Sequence, residues 1–197
     1  MKKQTIFLAP VILLAIFFWS PAQSTANSIE QYPYEVLQDF EYFEVRHYQD
    51  AIFAKTHIDA ETYRRGSGNG FRTLASYIFG GNEREESIAM TAPVVMSWEE
   101  GMVMEFMMPS EYTLETLPTP RHNGIEIYEK SSVVMAGLSF GGWANDRRIA
   151  RKIDELSELL DAHGIAHSGD FQYFGYSSPT QMTNRRNDIV VELKHWE

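Results

Sequence analysis

The stretch SIAMTAPVVM, residues 87–96, has the apolar density of a buried β-strand, yet Pro93 stands in its middle. Proline lacks the backbone N–H that a sheet ladder needs, so it is found at sheet edges, strand starts and bulges. Met90 and Met96 lie near the two ends, and methionine fills irregular apolar space because its side chain is unbranched and polarisable. The stretch therefore predicts a strand that bends around an apolar space.

A predicted helix precedes this strand, and a second strand follows it. The segment FRTLASYIF, 71–79, has apolar residues at helical spacing, and two glycines directly after it predict its end. The segment MVMEFMM, 102–108, alternates as a strand does. The residues before the helix, ETYRRGSGNG at 61–70, predict a flexible turn because glycine and other turn formers dominate them.

The same order of elements recurs in the second half of the chain. Strand patterns at 124–130 and 132–140 precede a helix that begins at Asn145 or Asp146, and strand patterns at 170–179 and 188–194 follow it. One face of this helix carries an apolar stripe at helical spacing, formed by Ile149, Ile153, Leu156 and Leu160.

Each half also places a proline at a similar distance past the glycine that ends its helix. Pro93 follows Gly80 by 13 residues, and Pro179 follows Gly164 by 15. These spacings predict two pseudo-symmetric strand–helix–strand–strand repeats, with coincidence as the alternative because strands and prolines are common. We predict the α+β class, with a distorted antiparallel β-barrel or curved sheet and two main flanking helices.

The amino-terminal residues predict a secretory signal peptide. Two lysines precede an apolar run of 14 residues, 6–19, which is shorter than the roughly 20 that span a bilayer. Small residues follow, so we predict cleavage after Ala26, with Ala22 as the alternative. The chain then divides into a signal peptide (1–26), a short lead-in (27–33) and a single domain (34–197). The chain has no cysteine, which excludes a lipoprotein anchor and disulfides. Export to a bacterial periplasm is the predicted localisation.

The charge of the chain limits its partners. Lys and Arg number 17 against 27 Asp and Glu, a net charge of −10, and removing the two lysines of the signal gives 15 − 27 = −12. A domain this acidic is a poor candidate for binding nucleic acid or anionic lipid surfaces. We predict no nucleic-acid partner and no stable membrane anchor after signal cleavage; the oligomeric state stays open. An anionic ligand would have to be met by local arginines.

The sequence contains no catalytic constellation, and we predict that the protein is not an enzyme. The segment GSGNG lacks the lysine of a phosphate-binding loop, no serine lies in a nucleophile elbow, and no cysteine nucleophile exists. Alternation predicts that Glu105 faces solvent; buried in a pocket, it would be a candidate general base.

One histidine and several methionines carry the ligand hypotheses. In EYFEVRHY, 41–48, alternation puts His47 on the same face as Phe43 and Val45, toward the interior. His47 is then either a core histidine satisfied by one hydrogen bond or an axial ligand to a haem iron. Met90, Met96 and the methionines of 102–108 are core residues, the wall of a pliable pocket, or thioether ligands of Cu(I).

Three blocks of the sequence resemble the SOUL haem-binding protein family. They are YEVLQDFEYFEVRHY (34–48), GFRTLASYIFGGNEREESIAMTAPVVM (70–96) and FGYSSPTQMTNRRNDIVVEL (174–193), and they occur in family order. The resemblance implies a distorted antiparallel barrel of two pseudo-symmetric repeats with two flanking helices. It also implies non-covalent binding of haem or another tetrapyrrole, and it does not imply catalysis.

From this resemblance we expect a small-molecule tetrapyrrole partner, with haem as the cofactor, held in an apolar groove for carriage or buffering outside the cytoplasm. His47 matches a histidine that is a proposed iron ligand in some members, so it is the candidate metal ligand. Methionine and aromatic side chains would contact the macrocycle, and arginines would meet its propionates. The predicted binding residues are His47, Met90, Met96, Met104, Phe71, Arg72 and Arg185.

Two alternatives belong to other classes of protein. The SOUL fold resembles GyrI-like small-molecule-binding domains, some of which have hydrolase activity; Glu105 or Glu192 would then be the base. The other alternative is an envelope interaction module without a small ligand.

Overall fold

The computed structural model of the protein describes residues 29–98, 101–178 and 181–196, so the predicted signal peptide and Pro179 lie outside the described residues. Two helices and a set of strands make up the fold. In chain order they are β1 Glu30–Gln31, β2 Tyr34–Asp39, β3 Glu44–Tyr48, β4 Ala51–Ile58, α1 Tyr63–Ile78, β5 Thr91–Ala92, β6 Val94–Ser97, β7 Met102–Met107, β8 Ile125–Lys130, β9 Val133–Gly141, α2 Asp146–Ala162, β10 Gln172–Gly175 and β11 Arg186–Glu192.

Nine of the strands form one curled antiparallel sheet in the order β2-β3-β9-β11-β10-β6-β7-β4-β8. Eight of these strands form two corresponding sets: β3 corresponds to β8, β4 to β9, β6 to β10 and β7 to β11. Exchanging each strand for its counterpart reverses the order of the eight strands in the sheet. The two halves are therefore related by a pseudo-twofold axis between β10 and β6, and the predicted α+β fold of two repeats is confirmed.

The opening stretch breaks at its proline, as its sequence predicts. Before Pro93, β5 pairs in parallel with β1, and Gln31 lies opposite Ala92. After Pro93, β6 joins the large sheet, where Val94 lies opposite Gly175 of β10. The proline thus stands where the chain changes from one sheet to the other.

Helix α2 agrees closely with its prediction. Asn145 is the N-cap, and its side-chain oxygen accepts a hydrogen bond from the backbone N–H of Arg148 at 3.0 Å. Ile149, Leu156 and Leu160 are buried against the sheet. The helix ends at Ala162, with His163 as its C-cap and the expected Gly164 directly after that.

Helix α1 begins eight residues earlier than predicted, and the predicted turn at 61–70 was wrong for most of its length. Its glycines serve close packing rather than chain reversal. A Cβ at Gly66 would collide with the sulfur of Met102, and a Cβ at Gly70 would collide with the Ile58 side chain. Glycine at these two positions allows the helix backbone to approach β4 and β7.

Both faces of the sheet are buried, so alternation does not separate core from solvent. The face covered by the helices includes Val45 and Met104, while the opposite face packs Tyr48, Phe53 and Phe174. Glu105 lies on this opposite face beside Met107 and is 7% exposed. The prediction that Glu105 faces solvent was wrong, because the curled sheet encloses its second face as well.

Tyr32 closes the opposite face from the amino-terminal side. Its ring lies 4.8 Å from the Tyr48 ring and 5.2 Å from the Phe53 ring, centroid to centroid, and the residue is 1% exposed. Its hydroxyl has no hydrogen-bond partner among the described residues. The predicted lead-in, 27–33, thus contributes a core residue.

No helix within the described ranges has the length and apolar character needed to cross a membrane.

Two glycines of α1 should respond in opposite directions to alanine. Gly70→Ala inserts a methyl group into a filled contact, so we expect it to lower the free energy of unfolding by about 1–3 kcal/mol. Gly68 has open space around its Cβ position, so Gly68→Ala should raise that free energy by about 0.5–1 kcal/mol through helix propensity. Urea unfolding of both variants measures the difference, and a stabilised Gly70→Ala would contradict the packing argument.

A groove between the two repeats as candidate ligand site

A groove with a volume of about 300 Å³ lies on the helix-covered side, over the central strands β6 and β10. The amino-terminal half of α1 forms one wall, and the loops after β9 and β10 form the other. Its aromatic lining residues are Tyr63, Phe71, Trp143 and Tyr173. Its other apolar side chains include Val94, Met96 and Met104.

The local sequence explains why this space stays open. Gly68 presents no side chain from α1, and Gly175 presents none from β10. Phe71 is held at the helix by an edge-on contact with Phe106, 5.4 Å between ring centroids. Since Tyr173 lies opposite Met96 in the ladder, an aromatic ring and a thioether lie side by side in the groove.

A short hydrogen-bond chain fixes the wall beside Trp143. The Tyr173 hydroxyl donates to Asn187 Oδ1 at 2.7 Å, and Asn187 Nδ2 donates to the carbonyl of Gly142 at 2.9 Å. Burial raises the pKa of Tyr173 well above its ordinary value, so the phenol stays a donor at neutral pH. This chain anchors the loop that carries Trp143, whose side chain remains 52% exposed.

Arg185 supplies the charge of the groove. Among the lining residues that the structure describes, it is the only one with a positively charged side chain. Its guanidinium lies over the Trp143 ring at 4.0 Å and donates to the carbonyls of Ser178, at 2.9 Å, and Gln181, at 2.7 Å. No carboxylate pairs with it within the described ranges, and its buried Nε has no partner there. The cation is therefore available to an anionic ligand.

Four of the seven predicted binding residues line this groove: Phe71, Met96, Met104 and Arg185. Met90 instead packs against the core beneath the helices. Arg72 is exposed on α1, where it donates to Asn69 Oδ1 at 2.6 Å, and it does not line the groove.

His47 lies in another part of the sheet. It is opposite Val134 of β9, and both β9 and β11 separate β3 from β10. Three strand spacings correspond to about 14 Å. No histidine lines the groove in the part of the chain that the structure describes, and no cluster there could hold a metal ion by protein ligands alone.

Sequence reasoning missed Tyr63, Trp143 and Tyr173 as lining residues. Tyr63 was hidden because it fell within the predicted turn. Trp143 had a usable signal, since it follows two glycines and stands two residues before the helix cap Asn145. An aromatic residue in such a connection is a candidate for binding rather than for the core.

Neither glutamate considered as a catalytic base lies in the groove. Glu105, on the opposite face, accepts hydrogen bonds from the Tyr128 hydroxyl at 2.7 Å and from Lys130 Nζ at 2.6 Å. Burial and the neighbouring Glu105 charge raise the pKa of Tyr128 above its ordinary value. Glu192 is exposed at the end of β11. Glu105 therefore has the contacts of a structural ion pair.

A second cavity, of about 430 Å³, has the opposite electrostatic character. It lies near the turn between β3 and β4, and its lining includes the carboxylates of Glu30, Asp50, Glu115 and Glu129. Carboxylates so close together would repel an acidic ligand. The groove over β6 and β10 is the better candidate for an anionic, largely apolar molecule.

The sequence matches the family model described as SOUL heme-binding protein over residues 29–192. The chain belongs to this family. Human heme-binding protein 2 is 28% identical over 162 residues, which cover 78% of each chain. Heme-binding protein 1 of Xenopus laevis is 26% identical over 155 residues, covering 75% of this chain and 81% of the relative.

Solved structures share the fold at much lower sequence identity. The C-terminal domain of EcmrR superposes with a TM-score of 0.59 at 8% identity, covering 79% of this chain and 99% of that domain. A hydrolase from Listeria innocua superposes with a TM-score of 0.54 at 7% identity, covering 80% and 94%. These likenesses concern the fold alone.

Proposed function

We propose that the groove over β6 and β10 binds haem or a related tetrapyrrole non-covalently. The observation that carries the proposal is Arg185, which has no carboxylate partner among the described residues and lies in a groove whose large side chains are aromatic rings and thioethers. A tetrapyrrole with propionates is a flat apolar ring with an acidic edge, so both parts of the lining fit it. The haem-binding names of the relatives support the same ligand class.

Each part of the groove has a defined role in this proposal. Phe71, Tyr63 and Met96 contact the face of the macrocycle, since aromatic and thioether groups pack well on flat rings. Arg185 pairs with a propionate through donors that are not fully used by carbonyls. Trp143 shields that ion pair from water at the edge of the groove. When haem is bound, its iron supplies redox and axial-ligand chemistry.

We propose binding without catalysis. The groove holds no acid–base pair among its described residues, and Glu105 lies on the opposite face in an ion pair with Lys130. With the predicted signal peptide, the proposed role is carriage or buffering of the ligand outside the cytoplasm, in a bacterial periplasm.

Blocking the groove tests its identity as the binding site. Ser67 lines the groove from α1, so we expect Ser67→Trp to fill it and raise the Kd for haemin at least tenfold. Ser76 lies on the same helix but is exposed, which makes Ser76→Trp a matched control that should bind within about twofold of wild type. The Soret band followed during a haemin titration gives both values. Equal affinities of the two variants would reject this groove.

Removing the charge of Arg185 tests how the ligand is oriented. Arg185→Gln should weaken haemin binding about tenfold, the effect of losing one partly solvated charged hydrogen bond. The dimethyl ester of haemin has no carboxylates, so its Kd should change by less than about threefold, which separates charge recognition from a disturbed loop. Arg72→Gln should affect neither ligand. Equal loss for acid and ester would contradict the propionate contact.

The absence of histidine from the described lining predicts how much the iron matters. We expect metal-free protoporphyrin to bind within about fivefold of haemin, because apolar contacts and Arg185 do not distinguish the two. We expect His47→Ala to leave the Soret maximum of the haemin complex unchanged, because His47 lies about three strands away. A shifted Soret maximum in His47→Ala would instead support the axial role predicted from the sequence.

A further inference from the structure

The arginines of the described chain fall into two groups. Arg46, Arg84, Arg121 and Arg186 each pair with a carboxylate. The other seven have no carboxylate within 4.0 Å among the described residues: Arg64, Arg65, Arg72, Arg147, Arg148, Arg151 and Arg185. Five of them lie at the starts of the two helices or in the groove, and we call these the arginine rim: Arg64, Arg65, Arg147, Arg148 and Arg185. Five of the seven arginines that lack a carboxylate partner in the described ranges thus belong to the rim of an acidic protein.

The fold brings the members of the arginine rim together. The first backbone N–H of α1, at Tyr63, donates to Asp146 Oδ1 at the start of α2, 2.6 Å away. Each helix carries two arginines directly after this contact, Arg64 with Arg65 and Arg147 with Arg148. Arg64 shares a helix face with Phe71, which lines the groove, because the two are seven residues apart.

Helix stability does not explain these arginines. The first turn of a helix carries a partial positive charge, and a cation there is unfavourable by a few tenths of a kcal/mol or more. The carboxylate of Asp146 already accepts the Tyr63 N–H, and the buried Nε of Arg148 has no partner among the described residues. Both helices therefore place positive charge where their own dipoles disfavour it.

Large apolar side chains are exposed beside the same rim. Trp143 is 52% exposed under the Arg185 guanidinium, and Met182 is 75% exposed next to Gln181, whose carbonyl accepts from Arg185. Tryptophan and arginine together are typical of surfaces that lie at the boundary between water and lipid headgroups.

We propose that the arginine rim, with Trp143 and Met182, docks reversibly onto an anionic lipid bilayer. The guanidinium groups meet the headgroup phosphates, and the two apolar side chains enter the interface. The groove mouth then faces the bilayer, so a lipophilic ligand can pass between membrane and protein without crossing water. The net charge of −10 disfavours an anionic surface for the protein as a whole, so docking depends on the local charge of the rim, where five arginines can meet lipid phosphates.

Co-sedimentation with lipid vesicles tests the proposal, and it needs no tetrapyrrole, so its result is independent of the haemin titrations. The protein is used as recovered from expressing cells, with its amino terminus determined by mass spectrometry. We expect binding to vesicles of phosphatidylcholine with phosphatidylglycerol, weak binding to phosphatidylcholine alone, and release in high salt. The double variant Arg64→Glu and Arg147→Glu should lower the partition coefficient at least tenfold, since each arginine near the surface contributes about 1 kcal/mol.

A charge-matched control separates the rim from the net charge. Arg121→Glu with Lys194→Glu makes the same change in net charge at exposed positions outside the rim, and it should bind within about threefold of wild type. Trp143→Ser should weaken binding without removing its salt dependence. Equal binding to neutral and anionic vesicles, no binding to either, or equal loss in both double variants would each overturn the proposal.

Discussion

The pairing of β6 with β10 is the contact on which the rest of the structure depends. It lies at the pseudo-twofold axis, where Met96 of one half is opposite Tyr173 of the other. Both strands are short. In the chain, β6 follows α1 and β10 follows α2, and the two strands lie side by side at the centre of the sheet. The groove lies over this junction because α1 on one side and the loops after β9 and β10 on the other do not cover it completely.

Sequence periodicity correctly predicted an element that has one buried face and one solvent-exposed face, helix α2. The stripe of α2 and its Asn145 cap could be predicted because they are local properties of a helix. The start of α1 could not be predicted, because glycines such as Gly66 and Gly70 are typical of turns. Here they allow close packing against Met102 and Ile58, which belong to other strands of the chain. Glu105 was misjudged for a related reason: alternation gives the face of a strand, not whether the other face is covered.

The candidate site could likewise be predicted only in part, because its residue types can be read from the sequence but their positions in the fold cannot. Phe71, Met96, Met104 and Arg185 are far apart in sequence, and the family resemblance together with the residue types suggested an apolar site for an anionic ligand. Their convergence depends on the strand order, which a single sequence does not contain. His47 illustrates the limit, since its correct face of β3 says nothing about the strands between it and the groove.

Charged side chains have different partners on the two faces of the sheet. On the enclosed face, Arg46 reaches Asp188 at 2.7 Å, and Asp188 also accepts from Ser139 at 2.8 Å and Arg186 at 2.8 Å, so buried charges are fully used. Around the groove, arginines keep unused donors. The first arrangement fixes the fold, and the second leaves binding capacity for other molecules.

Tyr32 sets a limit on how far the chain can be shortened from its amino-terminal side without loss of the core. Its ring fills the enclosed face, and its backbone N–H donates to the carbonyl of Ala92 at 2.8 Å. An exopeptidase that trims the chain past Gln31 would remove a core side chain and expose an aromatic cavity. The core of the folded domain therefore includes Tyr32, far ahead in the chain of the strands on which its ring packs.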